Sequence, residues 1–77
     1  MPEEELVNGE EMAKAVRMLA EIEPREAQIL SLRFGLDGNA PLTLKQIGVE
    51  LGLTRERIRQ IQRNGLKKLH ELMEPAL

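Results

Sequence analysis

The stretch Gln46-Ile47-Gly48-Val49-Glu50-Leu51-Gly52-Leu53-Thr54-Arg55-Glu56-Arg57-Ile58-Arg59-Gln60-Ile61 decides the fold. Two helices that cross at roughly 90–120° through a short turn need a small residue where their backbones approach, a glycine in the turn, and apolar side chains pointing into the angle. Gly48, Gly52 and the set Ile47, Leu51, Leu53, Ile58 and Ile61 meet these needs. An ordinary αα-hairpin would explain the apolar spacing but not Gly48, because glycine inside a helix costs about 1 kcal/mol relative to alanine. The stretch therefore predicts a helix-turn-helix. Thr43 and Gln46 have the spacing of a capping box, which starts the first helix of the pair at Thr43 and lets it run to about Leu51. Gly52 tolerates a positive φ at its end, Leu53 plugs the turn, and Thr54 caps a last helix expected from Arg55 to about Met73.

Working back towards the N-terminus, residues 35–42 read as a turn-rich connection, with two glycines, Asp37, Asn39 and Pro41. A helix precedes it: Pro24 and Glu26 suit a first turn, Ala27, Ile29, Leu30, Leu32, Arg33 and Phe34 follow, and Gly35 stops it. Another helix starts at Asn8 or Gly9, where Asn8 and Glu11 have cap spacing. Met12, Val16, Leu19 and Ile22 recur at helical intervals and carry it to near Ile22. The acidic opening, Met1 to Val7, is expected to be disordered, and residues 8–77 form the domain. The fold class is all-α: four helices ending in a C-terminal helix-turn-helix.

Composition narrows the function. A chain of 77 residues supports one small core. With no cysteine and one histidine, His70, it offers no disulfide, thiolate metal site or histidine cage, so metal ligands and cofactors are not expected. Ser31 and His70 lie in no recognisable catalytic setting, so no catalytic residue is assigned. Phe34 is the only aromatic residue, too few for a base-stacking platform. No apolar run suits a membrane span and no signal peptide is evident, so a cytoplasmic protein without membrane contact is expected. The net charge of −2 hides a gradient: residues 1–26 carry eight acids and three bases, and residues 53–77 carry six bases and three acids. A basic end on a near-neutral chain suits local phosphate binding.

The last helix divides into two faces at 100° per residue. Ile58, Ile61, Gly65, Leu66, Leu69, Leu72 and Met73 share the side expected to face the core, and Glu56, Arg59, Gln60, Arg63 and Lys67 share the other. A charged face can simply be solvated. These residue types are also those that read bases in the major groove: arginine grips guanine, glutamine pairs with adenine, and glutamate accepts from cytosine. A recognition helix reads with its N-terminal residues, here Arg55, Glu56, Arg59 and Gln60.

These residues carry a family resemblance. Arg25-Glu26-Ala27, Leu30 to Asp37, Thr43-Leu44 and Leu53-Thr54-Arg55-Glu56-Arg57-Ile58-Arg59-Gln60-Ile61 resemble the C-terminal promoter-reading domain, region four, of primary-type bacterial sigma factors. The resemblance covers roughly residues 10–73, and Thr-Arg-Glu-Arg-Ile-Arg-Gln-Ile is its most specific element. It implies binding to the minus-35 element of double-stranded promoter DNA and docking on the β-subunit flap of RNA polymerase. It also implies base-edge contacts from Arg55, Glu56 and Gln60, with Arg59 near bases and phosphate. Phosphate contacts are implied for Arg25, Arg33, Thr43 and Arg57 or Arg63. For Arg25 and Arg33 a surface ion pair with Glu26 or Glu50 is the alternative. Leu19, Ile22, Leu32 and Leu36 are the candidates for an exposed cleft that holds the flap helix.

Departures from the family pattern fall at Gln62-Arg63-Asn64-Gly65-Leu66 and Leu69-His70-Glu71-Leu72, which look more like the stationary-phase branch. Contacts with activators are therefore not carried over. The resemblance implies a monomeric initiation module, nucleoid-associated when bound, rather than an enzyme. With no minus-10-reading or strand-opening segment recognised, the chain is expected to be a fragment of a longer protein. Two alternatives stay open: a free-standing helix-turn-helix repressor, which would dimerise, and a pure interaction module whose main ligand is an anti-sigma protein or the flap; an anti-sigma or activator protein is also a candidate partner.

Overall fold

A computed structural model describes residues 9–73; the expected disorder of Met1 to Val7 and the cap at Asn8 lie outside the described residues, as does the side chain of Met12. Among the described residues there are four α-helices and no strand: α1 Gly9–Met18, α2 Pro24–Phe34, α3 Leu44–Leu51 and α4 Arg55–Met73, with a 3-10 turn Leu19–Glu21 after α1. The all-α, four-helix reading holds.

The first helix ends earlier than its apolar spacing predicts. Glu23 precedes Pro24, and the proline ring pushes a preceding residue out of the helical region. Glu23 accordingly has ψ 140, and Ile22 is extended at φ −115, ψ 177. The chain tightens into the 3-10 turn before them, with the Ile22 N–H donating to the Leu19 carbonyl at 3.5 Å. The change of direction swings Ile22 inwards.

Pro24 occupies the first turn of α2, where its missing N–H costs nothing. The Glu26 carboxylate accepts from the Glu23 N–H at 3.3 Å, which ties the helix start to its own first turn. Gly35 closes α2, and Asp37 organises the following loop by accepting the Asn39 N–H at 3.1 Å. The loop returns to α2 at Leu42, whose N–H donates to the Leu32 carbonyl at 3.0 Å. This bond sets where α3 begins.

The angle between α3 and α4 depends on two glycines. Gly52 ends α3 at φ 74, a conformation that disfavours a side chain. Gly48 is buried, and a Cβ there would lie 2.5 Å from the Leu53 carbonyl oxygen. With no side chain in the way, the Gly48 carbonyl accepts the Leu53 N–H at 2.8 Å. The extra cost of glycine in α3 is thus the condition for the close turn that joins it to α4.

Two clusters make the core. Ile29, Ile47, Ile58 and Ile61 form the first, surrounded by Leu32, Leu42, Leu44, Leu51 and Leu53; it fixes the helix-turn-helix. Ile22, Leu30 and Leu69 form the second, with Met18, Leu19 and Ala27 around them; it ties the 3-10 turn to α2 and the far end of α4. The neighbours Ile29 and Leu30 point into different clusters, so α2 is the bridge. The buried Glu26 is satisfied twice, by the Glu23 N–H and by Lys68 of α4 at 3.1 Å, as a carboxylate withdrawn from water requires.

Two expectations are corrected by this packing. Ile22 is 9% exposed and belongs to the second cluster, so it does not line an open cleft. Leu66 and Leu72, expected on the core face of α4, are each 40% exposed. The core touches α4 along a narrow line through Ile58, Ile61, Gly65 and Leu69, and side chains flanking that line stay in solvent.

Candidate nucleic-acid interface

Each helix of the pair starts on a satisfied cap. The Thr43 hydroxyl accepts the Gln46 N–H at 3.0 Å while the Gln46 side-chain oxygen accepts the Thr43 N–H at 2.8 Å. At α4 the Thr54 hydroxyl accepts the Arg57 N–H at 3.0 Å. Because the turn at Gly48 and Leu53 is so close, these two first turns open on one cleft, lined by Thr43, Leu44, Lys45, Arg55, Glu56 and Arg59. Three of the four candidate base readers thus meet Thr43 in one place. The fourth, Gln60, is exposed on the same helix, and its side-chain oxygen accepts from Arg57 Nη1 at 3.5 Å.

Glu56 and Arg59 are a bidentate pair, with Nε to Oε1 at 3.0 Å and Nη2 to Oε2 at 2.7 Å. The Arg59 hydrogen bonds, helped by the charges of Arg59 and Arg55, hold the Glu56 carboxyl below its ordinary range, and Glu56 in turn raises Arg59. Both side chains are exposed, and an ion pair in that setting is screened and readily exchanged. The cleft therefore presents Glu56 and Arg59 already paired with one another, in a form that a stronger partner can reopen.

The candidate phosphate residues are more scattered. Arg25, Arg57 and Arg63 are exposed, on α2 and α4. Arg33 is half-buried: its Nη1 donates to the Leu42 carbonyl at 3.4 Å, and its guanidinium lies 5.5 Å from the centre of the Phe34 ring. Arg33 thus holds the residue that precedes the Thr43 cap. The alternative of an ion pair between either arginine and Glu26 or Glu50 is not what forms among the described residues, where Glu26 is joined to Lys68.

Residues 18–71 match the family model of sigma-70, region 4. The chain belongs to the sigma-70 region 4 family. It is 40% identical over 76 residues to the RNA polymerase principal sigma factor HrdC of Streptomyces coelicolor, an alignment that covers 90% of this chain and 22% of that protein. The chain therefore spans less than a quarter of the length of this relative. No solved structure matches.

Region 4 is a DNA-binding regulatory domain rather than a family of enzymes. In this region 4 domain the geometry adds a residue that the sequence reading passed over. Lys45 is exposed in the first turn of α3 and lines the cleft opposite Arg55. One sequence signal was available: a cation in a first turn opposes the helix dipole, which favours acids there by about 0.3–1 kcal/mol. The apolar side chains proposed for a flap cleft divide as well, since Leu19, Leu32 and Leu36 are half-buried and only Ile22 is sealed in. Among the described residues no helix is long and apolar enough to cross a membrane.

Proposed function

We propose that this region 4 domain reads the minus-35 element of bacterial promoters, as part of a sigma factor that brings RNA polymerase to its start sites. The observation that carries the reading is the shared cleft, where the first turns of α3 and α4 bring Arg55, Glu56 and Arg59 to one rim. In this reading α4 enters the major groove N-terminus first. Arg55, Glu56 and Gln60 choose bases, and Arg59 serves base and phosphate. Arg25, Arg57, Arg63 and the capped start of α3 at Thr43 fix register on the backbone, with Arg33 contributing through the loop it holds.

The polymerase partner is the β-subunit flap, held against the apolar side chains that the core leaves partly open. Leu19, Leu32 and Leu36 fit this role because each is half-buried, whereas Ile22 is given up as a contact. The domain acts as a monomer in the bacterial cytoplasm, and an anti-sigma or activator protein would compete for or extend these same surfaces.

Fluorescence anisotropy tests the promoter reading, with one short duplex carrying a TTGACA-like element and one scrambled duplex, each at several salt concentrations. The expected result is tighter binding to the element, with the preference lost in Arg55→Ala. Equal binding to both duplexes would remove the promoter reading and leave a module whose main ligand is a protein.

A further inference from the structure

Lys45 breaks a local rule without a visible return inside the protein. It stands in the first turn of α3, where the unpaired amide groups and the helix dipole favour an acidic side chain and no acid is present. Among the described residues no hydrogen bond or ion pair holds it, and its side chain is exposed. The first turn of α4 also carries cations, Arg55 and Arg57, here beside one acid, Glu56, and Lys45 and Arg55 line the same cleft from opposite helices. Residues that oppose local stability and converge from two elements on one place are the expected mark of a functional site.

The chemistry of the cleft says what it takes. Its walls carry three cations, Lys45, Arg55 and Arg59, against the single carboxylate of Glu56, which Arg59 already neutralises. That leaves Lys45 and Arg55 as the charges available to an incoming anion. Arginine offers a planar fork suited to a base edge or a bidentate anion, whereas lysine is a mobile point charge suited to a single phosphate oxygen. We propose that Lys45 binds a phosphate of the DNA backbone while Arg55, across the cleft, reaches the base edges. The inference rests on the promoter-reading proposal and adds one contact to it: a clamp from α3 onto the DNA backbone beside the groove that α4 reads.

The test uses the full chain and the two duplexes described above, and it compares Lys45→Gln and Lys45→Glu with the unaltered protein. A phosphate contact contributes about 0.9 to the slope of log affinity against log salt. Lys45→Gln should therefore lower that slope by about one contact, so that the drop in affinity between about 50 and 200 mM salt shrinks roughly threefold. The ratio of element to scrambled binding should stay as it is, because a phosphate contact carries no sequence information. Lys45→Glu should weaken DNA binding further while raising the melting temperature, since it places an acid where the helix dipole favours one. That opposition of signs separates a lost contact from a damaged fold.

An unchanged salt slope in Lys45→Gln, with Arg55→Ala still abolishing the preference, would overturn the role of Lys45 and leave the promoter reading standing. A loss of element preference in Lys45→Gln equal to that in Arg55→Ala would also overturn it, by making Lys45 a base reader. If the unaltered chain shows no preference for the element, the promoter reading fails and the clamp fails with it.

Discussion

Glu56 can do two things with its carboxylate, and the pairing in the free domain decides which comes first. With both oxygens on the Arg59 guanidinium, two of the carboxylate's roughly four acceptor sites are taken and its direction is set by the arginine, so turning it fully onto a cytosine amino group would mean exchanging one partner for another. The pair has the i,i+3 spacing at which helical side chains meet, so it was within reach of the sequence. The exchange itself was not, because it depends on rotamers that spacing does not fix. Titration tests whether the pair persists in solution. Arg59 lowers the Glu56 value, so the pair stabilises the folded state above the ordinary glutamate value of 4.5, and that contribution fades as pH falls through the lower folded value. Carbon-detected NMR should find the Glu56 midpoint below 4.5, and Arg59→Gln should move it back towards 4.5. A midpoint indifferent to Arg59 would mean that Glu56 is free to read from the start.

At the scale of elements, the sequence was most legible where the determinants are local. The box at Thr43 and Gln46, the cap at Thr54 and the stop at Gly52 each act over three or four residues, and each stands where the spacing placed it. Legibility failed where a neighbouring element decides. The end of α1 depends on how the chain approaches Pro24, and the exposure of Leu66 and Leu72 depends on how narrow a line of α4 the core touches. Gly48 joins the two cases, since its presence is local and its reason is tertiary. On an isolated helix Gly48→Ala would stabilise by about 1 kcal/mol. Here the new Cβ would sit 2.5 Å from the Leu53 carbonyl oxygen, a backbone atom that can retreat only if the turn opens. Overpacking of this kind costs about 1–3 kcal/mol, so thermal unfolding should register a net loss of stability. Val49→Ala is the control: Val49 is 78% exposed one residue further on, and its replacement should leave the melting temperature nearly unchanged. A stabilised Gly48→Ala variant would mean that the turn is not held by this approach.

Over the whole molecule, the two clusters divide the work of the domain. The first, around Ile29, Ile47, Ile58 and Ile61, fixes the turn and hence the cleft; the second, around Ile22, Leu30 and Leu69, holds the 3-10 turn and α1 onto the rest. A domain with so small a core opens in parts as well as globally, and its parts should follow the clusters. Truncating a buried isoleucine to alanine costs about 2–5 kcal/mol, a large share of the stability of any small domain. The location of the loss should differ between clusters. In Ile22→Ala, hydrogen exchange should quicken in α1 and the 3-10 turn while the amides of α3 and the first half of α4 keep their protection, and the preference for the promoter element should survive. In Ile58→Ala, which removes a fully buried side chain from beneath the cleft, protection should fall in α3 and α4 together and element binding should go with it. Equal loss across all four helices in both variants would show one cooperative core, in which case α1 is as necessary to the cleft as the turn itself. Retained protection in α3 and α4 of Ile22→Ala would instead make α1 a separable support, free to shift with the apolar residues Leu19, Leu32 and Leu36 when a partner helix arrives.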